Sequence, residues 1–185
     1  MKTALVIVDI QNDYFPGGKM ELEGSTEAGR KAGSVLARFR MQGLPVVHIQ
    51  HVSLHPGATF FLPNSEGVAI HESVEPLPQE TVVTNNYPNA FRETPLLDLL
   101  KQNQVGRLVI AGMMTHMCVD ATVRAAFDHG FRCEVLADAC ATRSLSFQGV
   151  TVPAQQVHAA FLAALGSVYA KVVAADDFMA AIQSL

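Results

Sequence analysis

The sequence predicts an α/β fold: a mostly parallel, Rossmann-like sheet with helices on both faces, in a single three-layer α/β/α domain over residues 1–185. Two observations predict it. Short β-branched runs alternate with segments of helical period. The runs are continuously apolar rather than alternating, as befits strands covered on both faces.

The first strand is Thr3 to Asp9 (TALVIVD). Thr26 to Gln42 carries apolar residues at helical spacing (Ala28, Ala32, Val35, Leu36, Phe39), with Ser25 as expected N-cap and Gly43 and Pro45 as stop signals. Pro45 to Val52 is a second strand. Leu54 to Gln79, rich in Pro, Gly and His, has no sustained period, and so long a segment in a compact domain reads as a functional loop. Glu80 to Thr84 is a third strand, and Thr94-Pro95 opens a helix through about Gln102, with Pro95 at the first helical position. Arg107 to Ala111 is a buried strand followed by Gly112. A helix follows from Cys118 to His129, closed by Gly130. Phe131 to Ala137 (strand), Pro153 to Leu165 (helix), Val168 to Ala174 (strand) and Asp177 to Gln183 (helix) complete the pattern.

Composition narrows the function. Of 185 residues 49% are hydrophobic and 16% charged, enough for a core and too apolar for a disordered chain. A net charge of −4 with scattered Lys and Arg argues against nucleic acid or an anionic membrane as partner. The richest apolar stretch, Val157 to Ala170, is too short to span a bilayer, and no signal peptide is legible before Asp9. Three widely spaced cysteines do not make a disulfide framework, so a cytoplasmic protein with free thiols is expected.

In open parallel sheets chemistry sits beyond the carboxyl ends of the strands. That rule selects Asp9, Asn85 and the turn Gly112 to Cys118. A thiol at the start of a helix faces unpaired N–H groups that favour the thiolate, which makes Cys118 a nucleophile candidate against the plain reading of a small buried hydrophobe. The plain reading is retained for Cys133, mid-strand, while Cys140, in the loop after Asp138, is left open between the two, with the structural reading ahead. Asp9 ends an apolar strand, so its carboxylate either caps a turn with Asn12 and Asp13 or accepts a proton. No metal is expected: His48 and His51, three apart on a strand, point to opposite faces, and no metal-ligand spacing occurs elsewhere. No cofactor is expected either. G-x-G-x-x-G is absent, and Phe15 to Lys19 (FPGGK) lacks phosphate-loop spacing and reads as a turn.

Three segments, ALVIVDIQNDYFPGG, VVTNNYPNAFRETPLLDLL and LVIAGMMTHMCVDATVRAAFDHGFRCEVLADACAT, resemble the isochorismatase-like cysteine hydrolase family, which includes nicotinamidases and N-carbamoylsarcosine amidase. They lie in order between Ala4 and Thr142, within a resemblance that runs over nearly the whole chain, from Ala4 to Phe178. The most specific matches are G-x-x-T-x-x-C-V at Gly112 to Val119 and D-x-Q-N-D at Asp9 to Asp13. The resemblance implies an aspartate, lysine and cysteine set, with Asp9 as general base and Cys118 as nucleophile. It also implies a cis bond at Met113–Met114 and an oxyanion hole from the backbone N–H groups of Met114 and Cys118.

Asn85 departs from the family pattern, which has lysine there. Asparagine keeps a donor and loses the charge, so Asp9 and a Cys118 thiolate resist ionising together. The departure reads as a weakened or rerouted hydrolase, a silent relative kept for ligand binding or assembly, or an introduced substitution. The metal set of nicotinamidases is absent from HIQHVSLHPG, which resembles a metal-independent branch, and Cys118 argues against isochorismate-type ether hydrolysis. The expectation is hydrolysis of a small amide or related C–N bond through a Cys118 thioester. Asn85 is expected to orient the aspartate or the substrate carbonyl. Gln11, Phe15, Phe60, Phe61, Tyr87 and Phe91 are expected to line the pocket. The resemblance also implies a homo-oligomer, a dimer or larger.

Overall fold

The structure, a computed structural model, describes residues 2–182. Six parallel strands form the central sheet: β1 (Lys2–Val8), β2 (Val46–His51), β3 (Thr81–Asn85), β4 (Val105–Met113), β5 (Arg132–Ala141) and β8 (Ala170–Val173). Their spatial order is β3-β2-β1-β4-β5-β8, so the order reverses between β1 and β4. Five helices cover it: α1 (Ser25–Met41), α2 (Leu96–Gln102), α3 (Asp120–Asp128), α4 (Ala154–Val168) and α5 (Ala175–Ile182). A separate antiparallel pair, β6 (Leu145–Phe147) and β7 (Val150–Val152), projects between β5 and α4. Among the described residues no helix is long and apolar enough to cross a membrane.

Period-two alternation along the strands divides the core. Leu5 and Ile7 of β1 with Val109, Ala111 and Met113 of β4 pack under α1 and α5, against Leu36, Phe39 and Phe178. Ala4, Val6 and Val8 with Leu108 and Ile110 pack under α2, α3 and α4, against Leu100, Val123 and Leu165. The continuous apolar runs of the sequence are thus strands buried on both faces.

Several local expectations need correction. Gly24, at φ 75°, precedes α1 as its N-cap, and Ser25 is the buried first residue of the helix. Pro95 flanks α2 as N-cap rather than occupying its first turn. The segment opened by Cys118 is first a π-helical turn, Thr115–Val119, and becomes α-helical only at Asp120. Cys140 lies on β5, which runs four residues beyond the expected end at Ala137. The β6–β7 hairpin falls in a stretch to which the sequence assigns no element, because its three-residue strands leave Phe147 and Val150 exposed instead of burying an apolar face.

The long segment after β2 is held down by the first motif. Gln11 Nε2 donates to the carbonyls of Val68 (2.7 Å) and His51 (2.9 Å), and Asn12 Nδ2 donates to that of Glu66 (3.0 Å). The Asp13 carboxylate accepts from the N–H of Phe61 (2.6 Å) and of Lys19 (3.1 Å). Gly67 passes so close to that carboxylate that an added Cβ would lie 2.1 Å from its oxygen.

Candidate active site

The switch in strand order places the ends of β1 and β4 side by side, with Val8 opposite Gly112. Asp9 follows Val8 directly, in the left-handed region at φ 49°. It is fully buried, and neither carboxyl oxygen makes a well-formed hydrogen bond. Burial raises its pKa to about 7, an effect partly offset by the Cys118 thiol beside it. The thiol, 3% exposed, is pushed well above its usual range by burial and then by Asp9, while the backbone N–H groups of Met114 and Cys118 pull it down. Acid and thiol therefore share one desolvated pocket, and two backbone donors face the sulfur.

The cis peptide falls at Met113–Met114. The Met114 carbonyl accepts from the N–H of Met117 (3.0 Å) and of Val119 (3.2 Å), which closes the π turn around Cys118. Thr115, fully buried, anchors the turn through its hydroxyl to the Ala141 carbonyl (3.2 Å) and to His158 Nδ1 (2.9 Å). His116 Nδ1 meets Thr142 Oγ1 at 2.5 Å, tying the turn to the end of β5.

Asn85 ends β3, buried, with Oδ1 bonded to His51 Nδ1 (3.1 Å) and Nδ2 without a partner. Asp9 and Asn85 stand at the same carboxyl edge, linked through β2: Val8 pairs with Ile49, and His51 with Asn85.

The expected pocket residues separate. Gln11 is spent on backbone, its Oε1 accepting from the His51 N–H (2.8 Å) while Nε2 holds the two carbonyls described above. Phe15 stacks on His71 with ring centroids 3.4 Å apart, on the α1 side of the sheet. Phe91 packs with Phe131 and His129 on the opposite side. Tyr87 lies half-buried under the Arg92 guanidinium. Phe60 and Phe61 pack together against Tyr14. No single aromatic pocket joins all five rings, because two of them belong to opposite core layers.

Tyr14 is absent from the sequence expectations, and His51 enters them only as a rejected metal ligand. The charges of Cys118 and Asp9 raise the Tyr14 hydroxyl pKa, as burial does first, while Arg143 lowers it. Its position inside D-x-Q-N-D-Y was the available signal. Among the described residues no three His, Cys, Asp or Glu side chains converge as metal ligands would. A surface cleft of about 440 Å³, lined by Arg40, Leu44, Glu80 and Leu99, lies at the opposite, amino-terminal edge of the sheet and contains none of these groups.

The sequence matches the Isochorismatase domain family over residues 3–177. It is 51% identical over 179 residues to the uncharacterised isochorismatase family protein YddQ of Bacillus subtilis, covering 97% of this chain and 99% of that one. The maleamate amidohydrolase of Pseudomonas putida is 29% identical over all of this chain and 88% of its own length. A crystal structure of an isochorismatase-family protein from Oleispira antarctica superposes with a TM-score of 0.93 at 49% identity, covering 97% and 96% of the two chains. The chain belongs to the isochorismatase family of hydrolases.

Proposed function

We propose that the protein hydrolyses a small amide or related C–N bond through a thioester on Cys118. The observation that carries this reading is the pairing of Asp9 with Cys118 in one desolvated pocket, the acid poised near neutrality by burial. A thiol pushed up so far is not an anion at neutral pH, so the base must act as the bond forms.

Ionised Asp9 takes the thiol proton while the sulfur attacks the carbonyl carbon. The N–H groups of Met114 and Cys118 hold the resulting oxyanion. Collapse breaks the C–N bond, and the proton on Asp9 passes to the departing amine. Water then gives a proton to Asp9 as its oxygen attacks the thioester. The acid leaves, and the proton returns to the sulfur. The unsatisfied Asp9 oxygens and Asn85 Nδ2 complement a group with both donors and an acceptor, such as a primary amide. The name of the maleamate amidohydrolase, which describes an amide-cleaving enzyme, supports the same class.

The test is ammonia release from a panel of small primary amides and ureido compounds. Activity is expected to rise as pH increases through about 7, because Asp9 must be ionised to act. Cys118→Ala is expected to abolish turnover and acyl-adduct mass alike. Equal turnover by this variant would overturn the reading. Saturable ligand binding with no turnover would instead establish a silent member of the family, the reading that Asn85 favours.

A further inference from the structure

His51 is tied at three points. Its backbone N–H donates to Gln11 Oε1 at 2.8 Å, and its carbonyl accepts from Gln11 Nε2 at 2.9 Å. Its ring Nδ1 lies 3.1 Å from Asn85 Oδ1. An amide oxygen only accepts, so the ring carries its proton on Nδ1 and donates it. Burial pushes the ring pKa down, so at neutral pH the bond is between neutral groups.

The consequence falls on Asn85. With Oδ1 occupied by the imidazole, Nδ2 is the free end of the side chain, and it is buried without a protein partner. A buried N–H donor left unpaired is costly. It stands at the same sheet edge as two unpaired carboxyl oxygens of Asp9. With only the Cys118 thiol beside the carboxylate, these three buried polar atoms at one sheet edge read as one incomplete site.

We propose that His51 is a positioning residue for Cys118 chemistry: it turns the Asn85 amide so that Nδ2 supplies a neutral donor where similar proteins carry lysine. The Gln11 of D-x-Q-N-D belongs to the same device, since it fixes the backbone from which the imidazole projects. The inference rests on the thioester reading above, but its test does not need the substrate. The other ionisable groups acting here are His55, which lowers the His51 pKa, and Tyr14, whose hydroxyl Asp9 and Arg143 influence in opposite directions. None of them is altered below.

The probe is iodoacetamide, with the rate of Cys118 alkylation followed by mass against pH in the full-length protein. His51→Phe keeps a ring for Phe61, whose centroid lies 6.0 Å away, and removes the donor. The midpoint of the alkylation profile is expected to move up by about 0.5–1 pH unit, as for loss of one hydrogen bond to an anionic pair. Asn85→Lys is expected to move it down, and His51→Phe in that background to add less than about 0.2 unit, since lysine needs no imidazole to turn it. His51→Gln, which restores a side-chain donor, is expected to recover most of the shift. Equal shifts in both backgrounds, or no shift with Asn85 present, would overturn the proposal. A regular cycle alongside a failed amide screen would remove the proposed substrate class and leave the positioning role standing.

Discussion

Gly112 is where the centre of the sheet permits one residue type. It sits at φ 151° beside β1, and an added Cβ would lie 2.1 Å from the Val8 carbonyl oxygen. The neighbour is backbone in the next strand and cannot yield. Gly112→Ala is therefore expected to lower stability by about 3 kcal/mol or more, read as a fall in the urea midpoint at unchanged slope. The same displacement moves Asp9 against Cys118, so activity is expected to fall further than the unfolded fraction accounts for. At this scale the sequence was legible where a residue stood out against its neighbours. Asp9 is a carboxylate ending an apolar run, and Cys118 follows a glycine-containing turn after a strand. His51 was not legible, because its partner is 34 positions later and the two meet only through the register of β2 with β3.

Strands and helices are joined at the far edge of the sheet by one carboxylate. Glu80, just before β3, accepts two bonds from Arg40 of α1 (2.8 and 2.7 Å), one from the Leu77 N–H (2.9 Å), and one from His48 of β2 (3.0 Å). Arg40 leads the causes that hold its pKa down at about 2. A depressed carboxylate stabilises the fold above its unfolded pKa, and that contribution disappears as pH falls through the range from about 4.5 to 2. Glu80→Gln is expected to cost about 1–3 kcal/mol at pH 7 and to flatten the loss of stability over that acid range, measured by urea unfolding at several pH values. Elements of this kind were readable from period and stop signals, and the order of helices and central strands followed. What escaped was set by partners instead. The π turn depends on Thr115 reaching Ala141 and His158. The β6–β7 hairpin turns at Gln148 and Gly149, both at positive φ, with little apolar alternation to announce it. The motif residues Gln11, Asn12 and Asp13, adjacent to Asp9, are occupied in anchoring a loop that sequence could delimit but not place.

For the whole molecule, buried acid and buried histidines pull stability in opposite directions. Burial lowers the pKa of His48, His51, His71, His116 and His158, so the unfolded chain binds more protons than the fold once pH drops below about 6.5. Those groups make the protein less stable on acidification. Asp9 works the other way. Its folded pKa stands at about 7 against 3.8, so the stability it contributes is complete below pH 3.8 and is lost as pH rises through 7. Under the proposed mechanism, such a carboxylate serves proton transfer at the expense of the fold, as functional sites commonly do. Asp9→Asn is expected to be inactive in the amide assay, yet more stable than the parent by roughly 2–4 kcal/mol at pH 8, with no gain at pH 4. Without the opposing acid, its stability should fall more steeply between those two values. Urea unfolding at pH 4, 6 and 8 reads this directly. Equal gains at every pH would mean that Asp9 is strained for reasons of packing, and a loss at pH 8 would mean that its charge is already satisfied in the folded protein.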